Sequence, residues 1–286
     1  MSASATLRAL VLITGLTAIP LLAHAQTVED RTQDKVAFPS HKVIGNVYSV
    51  GTGTLNSYLV TTPAGHILIN TNFEDTVPLL QAAVEKVGFK LTDIKIILGS
   101  HAHADHMQAD AIVKELTGGA MVMAMEQDVP ALKAMKAPSG KAHPIDRVLK
   151  DGEQVTLGGA RLTAHLTPGH TRGCTTWTMR IPEGGRTYDV AIACGGLQED
   201  ARLVNNRNYP EIADDFARSI KTYKALPVDV FLAAHSWLFD PAGKFARIGG
   251  ATNPYIDPAG YKAWVANMEK NHASLLAEQT KNPPAN

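Results

Sequence analysis

An α/β fold assembled in layers is what this sequence predicts, on three observations. Short β-rich runs alternate with amphipathic helical stretches through the first half of the chain. Two of the runs, residues 94–98 and 121–125, are apolar but for Lys95, as strands buried on both faces are. Turn residues punctuate the pattern: Pro63-Ala64-Gly65, Gly158-Gly159 and the stretch 182–186 each separate two β-rich runs.

Taken in order, residues 43–50, 57–62 and 66–70 read as strands. Residues 75–87 read as a helix with Val77, Leu80, Ala83, Val84 and Val87 on one face. The buried strand 94–98 ends at Gly99-Ser100. Residues 109–116 read as the next helix and 121–125 as the next strand. The runs 154–157 and 161–166 flank Gly158-Gly159 as a hairpin, and 174–181 with 187–193 form a second. Residues 212–226 form an amphipathic helix and 228–233 a strand. A last helix runs from Pro258 to about residue 279, with Tyr261, Trp264, Val265, Met268, Leu275 and Leu276 as its buried stripe.

Composition narrows the function. With 45% apolar and 19% charged residues the 286-residue chain is a globular protein and not a disordered one. Lys+Arg and Asp+Glu are both 27, so the basic excess of a nucleic-acid binder is missing and no such partner is expected. Two cysteines rule out a disulfide scaffold or a Cys-rich zinc module. Residues 1–25 read as a secretory signal, with Arg8 in a basic start, an apolar stretch over 10–22 broken by Gly15 and Pro20, and the small-x-small site Ala23-His24-Ala25. The expected mature protein, 26–286, is a single domain, exported to a bacterial periplasm, monomeric and free of the membrane after cleavage.

The chemistry concentrates in histidines. Ser100 to His106 reads SHAHADH and places His101, His103, Asp105 and His106 directly after a buried strand. Imidazoles and a carboxylate are zinc-type ligands. In an extended loop His101, His103 and Asp105 project to one side and His106 to another. His170, in the tight Pro168-Gly169-His170-Thr171 turn, and His235, just past strand 228–233, also stand at strand ends. The isolated histidines His41, His66, His143, His165 and His272 read as ordinary hydrogen-bonded residues.

The segments SHAHADH and PGHTRGCTTW with the late His235 resemble the metallo-β-lactamase superfamily. VYSVGTG, the stretch 209–235 and NPYIDPAGY look like its subclass B3. The resemblance covers most of the mature chain. It implies an αββα sandwich, two mixed β-sheets flanked by helices, with two Zn²⁺ ions at one edge. It also implies that His101, His103 and His170 hold the first zinc, and Asp105, His106 and His235 the second. The implied activity is zinc-dependent hydrolysis of the β-lactam ring of penicillins, cephalosporins and carbapenems, with Asp105 orienting the attacking water. The alternative is another dizinc hydrolase of the same fold, acting on a lactone or other ester.

Many such relatives place a bridging aspartate after the second hairpin, where this chain reads Ala193-Cys194-Gly195-Gly196-Leu197. That lowers the weight of glyoxalase-II-like and lactonase-like readings. Pairing about Gly184 sets Cys174 opposite Cys194, so a disulfide is expected in an exported chain. The alternative is two free thiols, with Cys194 beside the second zinc. Gly195 and Gly196 carry no donor for a substrate carboxylate, for which Asn206, Arg207 and Asn208 are candidates. Asn70 is expected to accept a hydrogen bond from a ligand imidazole.

Overall fold

Two stacked β-sheets with helices on their outer faces make up the computed structural model, which describes residues 31–284. The expected signal segment 1–25 lies outside the described residues. Seven strands follow one another in the first sheet: β1 (His41–Ile44), β2 (Val47–Ser49), β3 (Tyr58–Thr62), β4 (Gly65–Ile69), β5 (Ile94–Leu98), β6 (Met121–Met125) and β7 (Arg147–Leu149). Pairing is antiparallel from β1 to β4 and parallel from β4 to β7, so the sheet is mixed. The helices α1 (Val77–Lys86), α2 (Ala104–Met107), α3 (Asp110–Leu116) and α4 (Val129–Ala134) lie between these strands in sequence.

The second sheet contains β8 (Gln154–Leu157), β9 (Ala160–Leu166), β10 (Thr175–Glu183), β11 (Arg186–Ala193) and β12 (Val230–Ala233). They are ordered β12-β11-β10-β9-β8, with only the β11–β12 pair parallel. The helices α5 (Ile212–Ala225), α6 (Pro241–Phe245) and α7 (Pro258–Lys281) complete the chain.

Side-chain alternation explains the layers. Ile67 and Ile69 of β4 and Ile96 and Leu98 of β5 enter the inter-sheet core with Leu162, Trp177, Met179 and Ile192. Their neighbours Leu68 and Ile97 pack the other way, with Val77, Leu80 and Val84 of α1 and Val113 of α3. A strand covered on both faces has few polar positions, which is why 94–98 is apolar except at Lys95, whose side chain is exposed. Each such fully buried side chain contributes roughly 1.5–3 kcal/mol. On the far side, Ile220 and Tyr223 of α5 and Tyr261, Val265 and Met268 of α7 join the same core as β12.

Three details differ from the sequence reading. Residues 43–50 form a hairpin and not one strand, because Gly45 takes φ +50 and turns the chain. A Cβ there would lie 2.3 Å from Ile181 Cγ2, so the turn also fits under the second sheet. The second hairpin turns on Gly184-Gly185 alone, both at positive φ, and Pro182 is a strand residue opposite Thr187. Leu275 and Leu276 are only partly buried, against a satellite cluster with Leu203, Ile212 and Phe216. The short elements α2, α4, β7 and α6 give too few residues for periodicity to register.

Candidate metal centre

The backbone that delivers SHAHADH is fixed before any side chain is placed. Trp177 Nε1 donates to Gly99 O at 3.0 Å, Ser100 N to Asn70 Oδ1 at 2.8 Å, and Thr175 N to Ser100 O at 2.7 Å. Gly99 is required because a Cβ would sit 2.2 Å from Met107 Sδ, where α2 folds back over the strand end. Asn70, in the left-handed region at φ +65, also donates to Asn56 O. Its amide is therefore spent on backbone and not on a ligand imidazole, a correction to the sequence expectation.

The loop is not extended. His103 N donates to His101 O, and α2 begins at the next residue. Helical geometry turns Asp105 and His106 towards one centre, where alternation would have parted them. Asp105 Oδ2 lies 3.2 Å from His106 Nε2 and 3.4 Å from His235 Nε2. Thr71 N and Asn72 N both donate to His106 O and hold α2 against the end of β4.

His170 arrives from the second sheet. Gly169 at φ +125 makes the turn, and a Cβ on it would enter the Phe216 ring. Ser219 Oγ of α5 donates to Pro168 O. His235 follows β12 and is joined to an early segment: Asn56 N donates to Ala234 O, and Ser236 N to Thr54 O. Trp237 stacks on the His235 ring with centroids 3.9 Å apart.

The six residues converge in two adjacent groups. His101, His103 and His170 form one, with Nε2 of His101 and His170 3.0 Å apart. His106, His235 and Asp105 form the other, with the two imidazole Nε2 atoms 2.9 Å apart. His101 and His106 touch, ring centroids 4.2 Å apart, so the groups are adjacent. Burial, reinforced by neighbouring imidazoles, pushes His101 well below the usual histidine range, His170 down to about 3 and His235 down to about 2. Burial opposes the charge of Asp105, but His106, His235 and His103 hold its carboxyl well below the usual carboxylate range. Imidazoles and one ionised carboxylate, facing each other at these distances, are a donor set for cations. Two donors on a tetrahedral zinc lie about 3.3 Å apart, since each bond is about 2.0–2.1 Å. The observed separations fit. Nδ1 of His106 and of His235 is buried with no hydrogen-bond partner among the described residues.

Sequence reasoning missed Asp128, at the end of a 3₁₀ turn before α4. Its carboxylate accepts from Ala102 N at 2.8 Å, Gly173 N at 2.7 Å and Thr171 Oγ1 at 2.9 Å. It thus ties the His101–His103 loop of one sheet to the His170 turn of the other. Burial raises its carboxyl, and these bonds act in the opposite sense. A lone Asp in Gln127-Asp128-Val129 carries no signal of this role.

Cys174 and Cys194 are bridged, with Cα atoms 5.7 Å apart, which excludes Cys194 as a free thiol ligand. Gly195 has a spatial reason: a Cβ would lie 3.0 Å from His170 Cγ. Asn206 is committed to the backbone at Arg202, Asn208 and Tyr209, so it is not a free carboxylate anchor. The isolated histidines find partners away from the centre: His41 with Tyr255, His66 with Thr62 N, His143 with Asp110, His165 with Thr178 and His272 with Ala213 O.

Residues 50–235 match the family model described as the metallo-beta-lactamase superfamily. The chain belongs to that superfamily. Membership implies a bound metal, typically zinc. The native FEZ-1 metallo-β-lactamase of Legionella gormanii is 40% identical, superposes with a TM-score of 0.82 and matches 86% of this chain and 98% of its own. BJP-1, a subclass B3 metallo-β-lactamase of Bradyrhizobium japonicum, is 34% identical at a TM-score of 0.81, covering 88% and 99%. The chain is also 30% identical to a hydroxyacylglutathione hydrolase of Hyphomonas neptunium, over 76% of its length and 73% of the relative's. Its match to the Brucella anthropi hydroxyacylglutathione hydrolase spans 43% of each protein.

Proposed function

We propose that this superfamily hydrolase opens the β-lactam ring of penicillins, cephalosporins and carbapenems, using two zinc ions. The observation that carries the reading is the segment after β11. Many superfamily relatives place a bridging aspartate there. Here it supplies a bridged Cys194 and two glycines, with Gly195 packed against His170. Among the described residues, Asp105 is the carboxylate at the centre. The extended similarity to FEZ-1 and BJP-1 points the same way.

His101, His103 and His170 would hold one ion, and Asp105, His106 and His235 the other. Bound there, zinc acidifies water and stabilises negative charge developing on an attacked carbonyl. The protein's part is positional. Three neutral imidazoles leave the charge of a cation at the first group uncompensated, which favours the oxyanion of the opening ring. Asp105, ionised and turned inward by α2, accepts a hydrogen bond from the attacking water and orients it. Ring opening breaks the C–N bond, and the departing nitrogen takes up a proton. No side-chain nucleophile takes part: Cys194 is bridged, Thr171 Oγ1 is bonded to Asp128 and Ser236 Oγ to Asn56. Residues 1–25 would direct export to the periplasm, where these antibiotics act, and the mature chain would work as a monomer.

Purified mature protein mixed with a carbapenem, a cephalosporin and a penicillin tests this directly. Rapid loss of lactam absorbance, abolished by EDTA and restored by zinc, is the expected result. The hydroxyacylglutathione hydrolase match supports a second reading, an ester or thioester hydrolase. Protein holding two zincs that leaves all three lactams intact but cleaves a thioester or lactone would establish that reading instead.

A further inference from the structure

The two ring nitrogens of His101 face different chemistry. Nε2 points at His170 Nε2, 3.0 Å away, in the group that would hold the first ion. Nδ1 points at Ser100 Oγ, 3.2 Å away, and at Cys194 Sγ, 3.5 Å away. All three residues are buried, with His101 and Ser100 each 1% exposed and Cys194 fully enclosed. A neutral imidazole carries one proton, and whichever nitrogen carries it cannot bind a metal. A serine hydroxyl accepts or donates and so does not decide the matter. A disulfide sulfur has no hydrogen and accepts only.

We infer that the Cys174–Cys194 bridge acts as a tautomer lock on His101, its hydrogen-free sulfur keeping the proton on Nδ1 and the lone pair of Nε2 turned towards the metal group. A bare Nδ1 would face the sulfur lone pairs. A protonated Nδ1 donates to Ser100 Oγ with Cys194 Sγ alongside as a weak second acceptor. Across the 3.0 Å contact His170 then donates and His101 accepts in the metal-free protein. A free Cys194 thiol would reverse the preference, because its S–H donates to Nδ1 and stabilises the form protonated on Nε2. Cys194 is thereby a positioning residue, and its oxidation state bears on the first ion without any bond to it. Thr176 Oγ1 accepts from Cys194 N at 3.3 Å and sets the residue's place. The inference rests on the proposed ligand set.

Two-bond ¹⁵N–¹H correlation spectra of the full mature chain, metal-free and labelled at histidine, read the tautomer directly. The His101 signal is assigned by its loss in His101→Gln. The expected result is Nδ1–H in the oxidised protein. The double variant Cys174→Ala/Cys194→Ala removes the sulfur acceptor, leaves the choice to Ser100 Oγ, which takes either role, and populates Nε2–H beside Nδ1–H. Reducing the bridge in the wild-type chain puts an S–H donor at Cys194. The reduced protein populates Nε2–H and binds the first zinc about tenfold more weakly in chelator competition, the second zinc being unchanged. Nε2–H at His101 in the oxidised wild type overturns the inference, and that spectrum needs no cysteine variant to fold. Unmixed Nδ1–H in the alanine variant, or equal loss of zinc affinity in the alanine variant and the reduced protein with the tautomer unchanged, also overturns it and makes the bridge a covalent brace only. A wild type that binds two zincs and opens no lactam counts against the proposed activity, and the spectra are read independently of it.

Discussion

Asp128 concentrates more of the centre's geometry than any residue the sequence pattern singles out. Replacing it by Ala leaves three donors, the buried amides of Ala102 and Gly173 and the part-buried hydroxyl of Thr171, without an acceptor. The expected cost is about 2–4 kcal/mol in denaturant unfolding, with weaker zinc binding at the first group. Asp128→Asn retains one accepting oxygen and should lose less in both measurements. Asp105 is the opposite case, partly exposed at the centre and of little consequence for packing. Asp105→Ala should fold normally by circular dichroism, yet lower kcat/KM by orders of magnitude with zinc content verified. Near-normal turnover in that protein would contradict its assigned role. The contrast explains what was legible at this scale. His101, His103, Asp105 and His106 crowd into one segment, and packing gives no reason for such a cluster. Asp128 and Asn70 act by bonding backbone that only the fold brings near, so no spacing announces them.

Among the elements, the β10–β11 hairpin shows how far pattern carries and where it stops. Cys174 and Cys194 are bridged as expected, but the ladder pairs Glu183 with Arg186 and Trp177 with Ile192, half a residue off the centre assumed from sequence. Carried on, that register would set Cys174 opposite Gly195. The pairing ends at Trp177 and Ile192, and the bridge spans the diagonal beyond it. Glycine positions fixed the turn only to within a residue, because Pro182 reads as a breaker and is in fact a strand residue. Gly184 and Gly185 hold φ +59 and +80 with nothing near a hypothetical Cβ. Gly184→Ala should therefore cost only backbone strain, about 1 kcal/mol, or roughly 2–4 °C in Tm. Zinc affinity should not change, because the turn lies at the far end of the hairpin. Loss of zinc in that variant would mean that the hairpin register controls the centre.

Across the whole molecule, the centre is the place where the sheets meet. His101, His103, Asp105 and His106 follow β5 of one sheet, and His170 and His235 follow β9 and β12 of the other. A cation there would bind the folded form alone. Saturating zinc, at about a thousandfold above its dissociation constant, should add about 4 kcal/mol. EDTA should lower Tm in a zinc-reversible manner in differential scanning calorimetry, and an unchanged melting curve would argue against an ion between the sheets. The layer order was legible because 94–98, apart from Lys95, and 121–125 are apolar on both faces. The sheet-to-sheet fastening was not, since Tyr58 to Ala233 O and Trp177 to Gly99 O join residues far apart in sequence. The joining of His235 to residues 54–56 also sets a timetable. A growing chain that ends after α4 carries four of the six donors and lacks His170 and His235, so an ion caught then is loosely held and easily given up. Commitment waits for a contact spanning 180 residues, Ser236 to Asn56, among the slowest kinds of contact for a chain to form. His235, the last of the six to be synthesised, would thus be the residue that completes the proposed centre, and a truncated chain would hold a cation only weakly.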